Sequence, residues 1–588
     1  MIPFSGGLKL KLNPLLPSQG GFHSLSGFHF SEDGSLTKWN GFSRSVFGQS
    51  MDQILESSVP GEITGAFHFV RRVGSAQLIV CTRNSIYLKS GASWTNLKNF
   101  SVPLPAGSQV DFVLQNEVVY IVAAGTENYL WDGTTIYDNG ANPPSVLPAA
   151  VISSSGVLTG GYSYKYTYMN LLGNETNSSP ASATVTASLS SISVTPTASI
   201  QAQVTAIRLY RTTSSGGVWL FLSDLPNSST PFIDNIPDSL LGIAVEEFAN
   251  GRPPASSIIE QYAGIVFYAK AGSTILSFSG EGRPSSVDTE IGSLDLVSSD
   301  AEQASTITGM KELGDRLAVF KNESIWNVVV GGGEVRADIQ VPSVGSVNNA
   351  GIVSVPGSQS VAFPSKDGFY LYDGLSEKYI SASIEPLYRT GLNQSRLAYM
   401  VGITYKRLNM ILWFASSALS SFNDIAIVYD YVNELWSTRP IPNLASTAVT
   451  LYDSALVESF VIGGYDGYLR TGDTGLSDDG KVMPCEVIPL INDTGTFSET
   501  IKSFYSMGLF FEQNAGVTLE CAVALDDPKN TYFPIGTINA QSAARFARIK
   551  FNLQGRRAYL RIRNNQIGAP LILRGHEMKS VDTGRVSP

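Results

Sequence analysis

Residues 361–374, VAFPSKDGFYLYDG, run from an apolar strand through a polar turn into a second strand and end in aromatic-Asp-Gly. β-Branched and aromatic residues favour the pleated surface of a strand, and Gly, Asn and Asp accept the dihedral angles of a tight turn. Six further segments also run from a strand through a polar turn into a second strand: 79–91, 118–133, 265–279, 317–330, 425–438 and 460–473; of these, 118–133 ends in aromatic-Asp-Gly as well. The sequence therefore predicts seven β-hairpins built from one approximately repeated unit.

The spacing of the hairpins indicates which repeat architecture they build. One aromatic anchor was taken from each hairpin: Tyr87, Trp131, Phe278, Trp326, Tyr372, Trp436 and Tyr468. Successive anchors are 44, 147, 48, 46, 64 and 32 residues apart. An inserted domain of ~100 residues explains the long interval, and values near ~45 are typical of the four-stranded blade of a β-propeller. We expect a propeller of six or seven blades, since the intervals of 64 and 32 residues can be counted in two ways.

Changes of composition along the chain place the domain boundaries. We predict an N-terminal arm with the first propeller strands over 1–60, a first part of the propeller over 61–142 and a second part over 251–480. Between them, residues 143–250 are rich in Ser, Thr and Val and contain about seven short strands, which is typical of an inserted immunoglobulin- or fibronectin-III-like sandwich. Long alternating strands predict a basic C-terminal β-sandwich over 481–588. The only weak helix signals are LASTAVTLYDSAL, residues 444–456, and the region around Leu387.

Composition excludes several classes of protein. The 588 residues contain 15% charged side chains and no apolar run near the ~20 residues of a membrane-spanning helix. Three distant cysteines, Cys81, Cys485 and Cys521, form no metal-binding or disulfide pattern, and we interpret them as buried thiols of a protein made in a cytosol.

The net charge of −10 is unevenly distributed. Residues 545–588 carry ten Lys or Arg against two acids, so they contribute +8 and the rest of the chain −18. An acidic bulk does not favour a protein that grips nucleic acid by neutralising phosphates. The basic residues Arg556, Arg557, Arg561 and Arg563 lie in a segment with alternating apolar neighbours, which predicts the outward, partner-docking face of a strand more readily than a DNA site.

One acidic stretch, residues 287–303, has no Lys or Arg nearby. It contains five acids: Asp288, Glu290, Asp295, Asp300 and Glu302. Two interpretations stay open, a loop that lines a channel and an ordinary solvated loop between blades.

Motifs of catalysis and cofactor binding are missing from the sequence. The four histidines occur in no HExxH motif, and there is no GxSxG or GxxxxGK[ST]. We therefore expect a protein that is not an enzyme and has no cofactor, metal or catalytic residues.

Several segments in order resemble the tail nozzle (tail hub) proteins of short-tailed bacteriophages. They are GGLKLKLNPLLPSQGGFHSLSGFHFSEDGSLTKWNGFSR (6–44), TGGYSYKYTYMNLLGNETNSSP (159–180), IRLYRT (207–212), RPPASSIIEQYAGIVFYA (252–269), LSFSGEGRP (276–284), GDRLAVFKNESIWNV (314–328), DGFYLYDG (367–374) and IVYDYVNELWST (427–438). The resemblance covers most of residues 5–475, and the order of the segments is more specific than any one of them. The C-terminal sandwich is the part that matches least.

This resemblance implies a function and a set of partners. Such proteins are β-propellers with added β-sandwiches that assemble as a ring, usually of six copies, below the portal and adaptor rings of the virion. The chain is then expected to form the DNA exit channel, to help retain the packaged genome and to contact fibre, spike or needle proteins, with DNA passing through the lumen without sequence recognition. The expected location is the virion tail, after synthesis in the bacterial cytoplasm. Two alternatives stay open: a propeller that binds or hydrolyses carbohydrate, for example as a receptor-binding protein, and a baseplate or connector part of a longer tail.

Overall fold

The prediction of an all-β chain is confirmed. The computed structural model describes residues 2–4, 6–11, 21–31, 33–46, 49–50, 61–90, 93–297, 305–452, 457–490, 500–512, 514, 516–540 and 545–585. Within these ranges the helical elements are short 3-10 turns at Asp238–Leu240, Ala382–Ile384, Gln394–Tyr399 and Lys406–Leu408 and a π turn at Leu387–Gly391. The helix signal over 444–456 is wrong in its described part, because Ala445–Tyr452 is a strand that pairs with Glu458–Gly464 and buries Ala445 and Leu451; residues 453–456 lie outside the described ranges.

The strands before residue 143 form an N-terminal group and two four-stranded antiparallel sheets. The N-terminal strands are β1 (Ile2–Pro3), β2 (Phe22–Ser26), β3 (Phe28–Phe30), β4 (Leu36–Lys38), β5 (Phe42–Ser43), β6 (Ser45–Val46) and β7 (Gln49–Ser50). Repeat sheet 1 contains β8 (Ile63–Phe69), β9 (Gln77–Thr82), β10 (Ser85–Ser90) and β11 (Ser93–Asn99). Repeat sheet 2 contains β12 (Val110–Gln115), β13 (Val118–Ala123), β14 (Glu127–Trp131) and β15 (Ile136–Asp138).

The next six strands form a separate unit of two three-stranded sheets. They are β16 (Ala149–Tyr162), β17 (Tyr164–Asn170), β18 (Val185–Thr195), β19 (Val204–Thr212), β20 (Trp219–Pro226) and β21 (Phe232–Asp234). One sheet has the order β16-β18-β21 and the other β17-β19-β20, and both contribute to a single apolar core. Tyr164, Tyr166 and Tyr168 alternate along β17 and are all buried, as the period-2 pattern predicts. A fully buried ion pair joins the sheets: Arg211 Nη1 lies 2.8 Å from Asp234 Oδ2.

Five further repeat sheets follow between residues 258 and 472. Repeat sheet 3 contains β22 (Ile258–Tyr262), β23 (Ile265–Ala269), β24 (Ile275–Gly280), β25 (Arg283–Val287) and β26 (Ser293–Asp295). Repeat sheet 4 contains β27 (Ile307–Glu312), β28 (Leu317–Lys321), β29 (Ile325–Gly331) and β30 (Glu334–Val341). Repeat sheet 5 contains β31 (Val353–Val355), β32 (Ser360–Pro364), β33 (Phe369–Tyr372) and β34 (Glu377–Tyr379). Repeat sheet 6 contains β35 (Val401–Tyr405), β36 (Met410–Ala415), β37 (Ile425–Asp430) and β38 (Leu435–Pro440). Repeat sheet 7 contains β39 (Ala445–Tyr452), β40 (Glu458–Gly464) and β41 (Leu469–Gly472).

All seven hairpins predicted from the sequence are present, one in each repeat sheet. Six of them are the second and third strands of their sheet, but 425–438 is the third and fourth strand of repeat sheet 6. The anchor Trp436 is therefore one strand too late, which makes the interval before it long and the interval after it short. The two irregular spacings come from this shift and not from a missing sheet.

In repeat sheets 2 and 5 the aromatic-Asp-Gly motif ends the third strand and begins the turn to the fourth. In repeat sheet 5, Asp373 Oδ1 accepts hydrogen bonds from the backbone N–H groups of Leu375 (2.8 Å) and Ser376 (2.7 Å). Gly374 follows at φ +92°, a left-handed conformation that favours glycine. Asp132 and Gly133 make the same turn in repeat sheet 2, so the motif is a structural turn signal.

Successive repeat sheets share apolar clusters in a cyclic order. Sheets 1 and 2, 2 and 3, 3 and 4, 4 and 5, 5 and 6, and 6 and 7 each contribute to a common cluster. A seventh cluster joins sheet 7 to sheet 1 through Leu451 and Val461 of one and Ile63 and Val80 of the other. The fourth strand of sheet 7 is β5, which pairs through Phe42 and Ser43 with β41. The start of the chain thus completes the last sheet.

Among the remaining N-terminal strands, β6 and β7 pair with each other, β3 pairs with β4, and β1, β2 and β4 pair with the C-terminal part of the chain. The C-terminal strands are β42 (Cys485–Pro489), β43 (Thr500–Phe511), β44 (Thr518–Leu525), β45 (Phe533–Asn539), β46 (Phe546–Gly555), β47 (Ala558–Asn564) and β48 (Ile572–Arg585). One sheet has the order β3-β4-β48-β43-β46 with β1 on β48, and the other continues repeat sheet 6 through β2 into β42, β47, β44 and β45. Both sheets bury residues in the cluster that sheets 5 and 6 share, so this sandwich packs on that side of the cycle.

Candidate functional site

The first strands of several repeat sheets enclose a cavity of about 210 Å³. Its walls come from sheets 1, 2, 6 and 7 and from segments next to the first strands of sheets 3 and 5; the lining residues include Ala66, Asp111, Ser257, Asn349, Gly402 and Thr447. Small-molecule pockets usually measure ~300 to 1,000 Å³. This cavity is therefore smaller than most pockets for drug-sized ligands.

Asp111 is the charged group in the wall of this cavity. Its Oδ2 accepts hydrogen bonds from the backbone N–H of Ile259 (3.0 Å) and from Asn349 Nδ2 (2.8 Å). Burial raises the pKa of the Asp111 carboxyl to about 6. The side chain therefore ties the inner strands of sheets 2 and 3 to the segment that enters sheet 5.

A second buried charge pair lies where β5 completes repeat sheet 7. Arg439 is 2% exposed; its Nη2 donates to Asn40 O (2.7 Å), and its guanidinium lies 4.3 Å from the centre of the Phe42 ring. Both carboxylate oxygens of Asp478 are buried without a hydrogen-bond partner among the described residues. Burial raises the pKa of Asp478 to about 6 and lowers the pKa of Arg439 to about 10.

The structure places three of the five predicted acidic residues on the outer part of repeat sheet 3. Asp288 Oδ1 accepts from the backbone N–H groups of Glu290 (2.8 Å) and Ile291 (3.0 Å), so Asp288 stabilises a turn. Glu290 is exposed, and Asp295 is exposed on β26 opposite Ile275. Asp300 and Glu302 lie outside the described residues. The side chains of Ile291, Val297 and Ile275 are 74%, 53% and 48% exposed beside these acids.

The four predicted basic residues are near or on β47, where the predicted alternation is present: Leu560 and Ile562 are buried, and Arg561 and Arg563 are partly exposed. Arg563 Nε donates to Glu486 Oε2 at 2.5 Å, and the Arg561 guanidinium lies 4.2 Å from the centre of the Tyr532 ring. The backbone N–H groups of Arg556 and Arg557 donate to Asp526 Oδ1, at 2.7 and 3.1 Å. Arg561 and Arg563 thus have partners within the chain.

The sequence interpretation missed two other cations of the basic segment. Lys550 on β46 and Lys579 on β48 both pair with Ser506 of β43, so the three residues form one row on one face of the sheet. Both lysines are exposed, and neither is in an ion pair with a described residue. Arg548, in the next row, is paired with Glu577 at 2.6 Å. Only the register of three distant strands brings the lysines together, and local sequence carries no signal of that.

Cysteine and histidine side chains are placed as structural residues. All three cysteines are buried and free, and burial raises the pKa of Cys485 to about 11 and of Cys521 to about 12. Burial lowers the pKa of all four histidines, that of His576 to about 4. In the described part of the chain, no three His, Cys, Asp or Glu side chains are grouped as a metal site would need. None of the helices in these ranges has the length and apolar character needed to cross a bilayer.

Comparisons with known proteins leave the family open. No protein-family model matches the chain, and no curated protein matches it. Among solved structures, the chain is similar to the computationally designed Ika8 protein, with 13% identity over 71% of this chain and 99% of that one and a TM-score of 0.30. It is also similar to Sqt1 from Saccharomyces cerevisiae, with 7% identity over 72% of this chain and 98% of that one and a TM-score of 0.32.

Proposed function

We propose that this chain is a structural subunit of a phage tail nozzle, a ring that forms the exit channel for DNA, helps retain the packaged genome and lets it pass at ejection. The ring, expected to contain six copies, would dock to the adaptor ring of the virion and to fibre, spike or needle proteins. The observation that carries this proposal is the ordered resemblance over most of residues 5–475. A fold alone does not define a function, so the architecture supports the proposal without carrying it.

The packing of the repeat sheets supports a seven-bladed β-propeller as the centre of the subunit. Each four-stranded sheet needs neighbours on both faces, and a cyclic order provides them without leaving an end exposed. The clusters run from sheet 1 through sheet 7 and back to sheet 1, and β5 contributes the last strand. Closure of the last blade by an N-terminal strand joins the two ends of the repeat.

The inserted unit supports the same architecture. Its two three-stranded sheets face one core and interrupt the repeat between sheets 2 and 3, which supports an immunoglobulin- or fibronectin-III-like sandwich as one of the added β-sandwiches that the resemblance implies. The C-terminal strands form the second added sandwich of the proposal. Both units extend the surface that a ring subunit can present to neighbours.

The charge distribution supports passage of DNA without retention. Outside residues 545–588 the chain carries a net charge of −18. An acidic wall repels phosphates, and no counterions are released on contact, so DNA is not held.

The proposal is tested by measuring the assembly of the purified full-length chain. We expect closed rings by native mass spectrometry and negative-stain imaging, alone or after mixing with the adaptor protein from the same virion. A glycan array and a hydrolysis assay on host surface polysaccharide test the carbohydrate alternative. A monomer that does not bind the adaptor and that retains or cleaves glycan would contradict the nozzle proposal.

A further inference from the structure

The outer face of the sheet β3-β4-β48-β43-β46 combines exposed cations with apolar side chains. Lys550 and Lys579 lie on either side of Ser506 in one row. In the next outward row, beyond the bulge between Phe504 and Ser506, Val581 is 56% exposed opposite Ser503. Toward the other end of the face, the Phe510 and Phe546 rings lie 4.6 Å apart and remain partly exposed. We name Lys550, Lys579, Val581, Phe510 and Phe546 the basic face.

The outer part of repeat sheet 3 has the opposite charge and a similar apolar content. Glu290 and Asp295 are exposed beside Ile275, Ile291 and Val297, and we name these five residues the acidic edge. No ion pair joins Glu290 or Asp295 to a described residue, whereas Arg283, the nearest arginine before them in the chain, is paired with Glu246 at 2.7 Å. A wall that only repels DNA has no need of three exposed aliphatic side chains, but a protein contact buries them.

The two surfaces belong to separate parts of the chain. The basic face belongs to the sandwich that packs against repeat sheets 5 and 6. Repeat sheet 3 shares an apolar cluster with neither of them: it is two steps from sheet 5 and three steps from sheet 6 through sheet 4. Two complementary patches that are not paired with each other within one chain can join each copy to the next. A head-to-tail contact of this kind generates a closed ring when its rotation closes.

We propose that the basic face of one copy docks on the acidic edge of the next copy, as the contact that builds the ring. This inference rests on the proposed nozzle function and adds the surfaces that make its assembly. Lys550 and Lys579 would approach Glu290 and Asp295, and the exposed apolar residues of both patches would be buried between them. Charge complementarity sets the orientation of the contact, and burial of the apolar residues supplies most of its affinity.

Reciprocal charge reversal tests the contact in the full chain. Variant A carries Lys550→Glu and Lys579→Glu, and variant B carries Glu290→Lys and Asp295→Lys. All four positions are exposed, so both variants are expected to fold, which a melting curve close to that of the wild type checks. We expect each variant alone to need at least about a tenfold higher concentration for ring formation, with the difference decreasing at ~0.5 M salt because exposed charges are screened there.

Restoring complementarity is the decisive measurement. A chain with all four substitutions has reversed charges on both patches, so its rings should form at the wild-type concentration. A mixture of A and B should also form rings, with the two variants alternating and an even number of copies. Control chains with Lys406→Glu and Lys529→Glu, or with Asp338→Lys and Glu377→Lys, change the net charge equally at exposed positions and should assemble like the wild type.

Three outcomes overturn the inference. Wild-type rings together with unchanged rings of A and B would place the contact elsewhere and leave the nozzle proposal intact. Loss of duplex-DNA retention by A, with its ring assembly unchanged, would identify the lysines as a phosphate site. A wild-type chain that stays monomeric at every concentration, with and without adaptor, would overturn both the inference and the proposed function.

Discussion

Replacement of Asp111 by Asn should alter the way in which stability depends on pH. In the folded chain the pKa of this carboxyl is raised from 3.8 to about 6, so the folded state binds the proton more tightly than the unfolded state. Protonation therefore favours folding: the contribution is fully present below the unfolded pKa and is lost as the pH rises through about 6. The full effect is about 3 kcal/mol, of which about 2.4 kcal/mol is lost between pH 4 and pH 7.5, because the unfolded carboxyl is already partly ionised at pH 4.

The hydrogen bonds of Asp111 set the expected direction for the variant at each pH. An Asn side chain at this position can keep the bonds from Ile259 N–H and Asn349 Nδ2 with its Oδ1, but its Nδ2 then faces the Phe112 N–H that Asp111 Oδ1 accepts at 3.0 Å. The lost bond costs about 1 kcal/mol at any pH. The variant should be less stable than the wild type by about 0.5 kcal/mol at pH 4 and more stable by about 2 kcal/mol at pH 7.5.

Thermal unfolding followed by calorimetry measures the crossing of the two curves. With an entropy of unfolding of about 2.1 cal/mol/K per residue, the 588 residues give about 1.2 kcal/mol/K, so the change of about 2.4 kcal/mol becomes about 2 °C in the melting-temperature difference. Asp338→Asn, on the exposed strand β30, is the matched control and should stay parallel to the wild type. Parallel curves for Asp111→Asn from pH 4 to 7.5 would refute the assignment of a raised pKa to the cavity carboxylate.

Three further substitutions test the fold at other places. Asp234→Ala removes the fully buried carboxylate partner of Arg211 and leaves it only the partly exposed Asp238, so the inserted unit should be destabilised by about 3 to 5 kcal/mol, seen as faster proteolysis within 143–250; adding Arg211→Met should restore most of the resistance, and no restoration would contradict the ion-pair explanation. Phe42→Asp places a charge in the fully buried closure of repeat sheet 7 and should speed amide exchange of Leu469–Gly472; unchanged exchange would show that β5 does not stabilise that sheet. Asp373→Ala removes the acceptor of two backbone N–H groups and should cost about 1 to 2 kcal/mol of stability, which lowers the melting temperature by about 1 to 2 °C. Asp373→Asn keeps the acceptor oxygen and should retain most of that stability. Equal losses in both variants would contradict the turn mechanism.

Local chemistry explains why the hairpins could be predicted from the sequence. In each of them the strands are apolar and the turn is polar within about 15 residues, so pairing and turn are both visible in one window. The pattern does not say which strands of a sheet a hairpin supplies. Trp436 and Tyr372 both lie in the second strand of their hairpins, but that strand is the fourth of its sheet for Trp436 and the third for Tyr372. This difference of one strand distorts the spacing of the anchors.

Long-range pairing explains what the sequence could not predict. Strand β5 completes a sheet whose other strands begin about 400 residues later, and β1, β2 and β4 join the C-terminal sheets. At the candidate site, the alternation over 558–564 predicts the outward Arg561 and Arg563, because strand period is a local property. The Lys550–Ser506–Lys579 row depends on the register of β43 against two other strands, which no single segment encodes.

The pairing of the N-terminal strands determines when the last sheets can be completed and which parts of the fold are linked to each other. Because β5 pairs with β41, and β1 and β4 pair with β48, neither the last repeat sheet nor the C-terminal sandwich can be completed before nearly the whole chain has been made. Contacts of such long sequence separation slow folding. Once they have formed, the first 44 residues link repeat sheet 7, repeat sheet 6 and the C-terminal sandwich, so opening any of these units also requires the N-terminal strands to be released. In the ring proposed above, this linkage would oppose separation of the sheets while DNA is held under pressure.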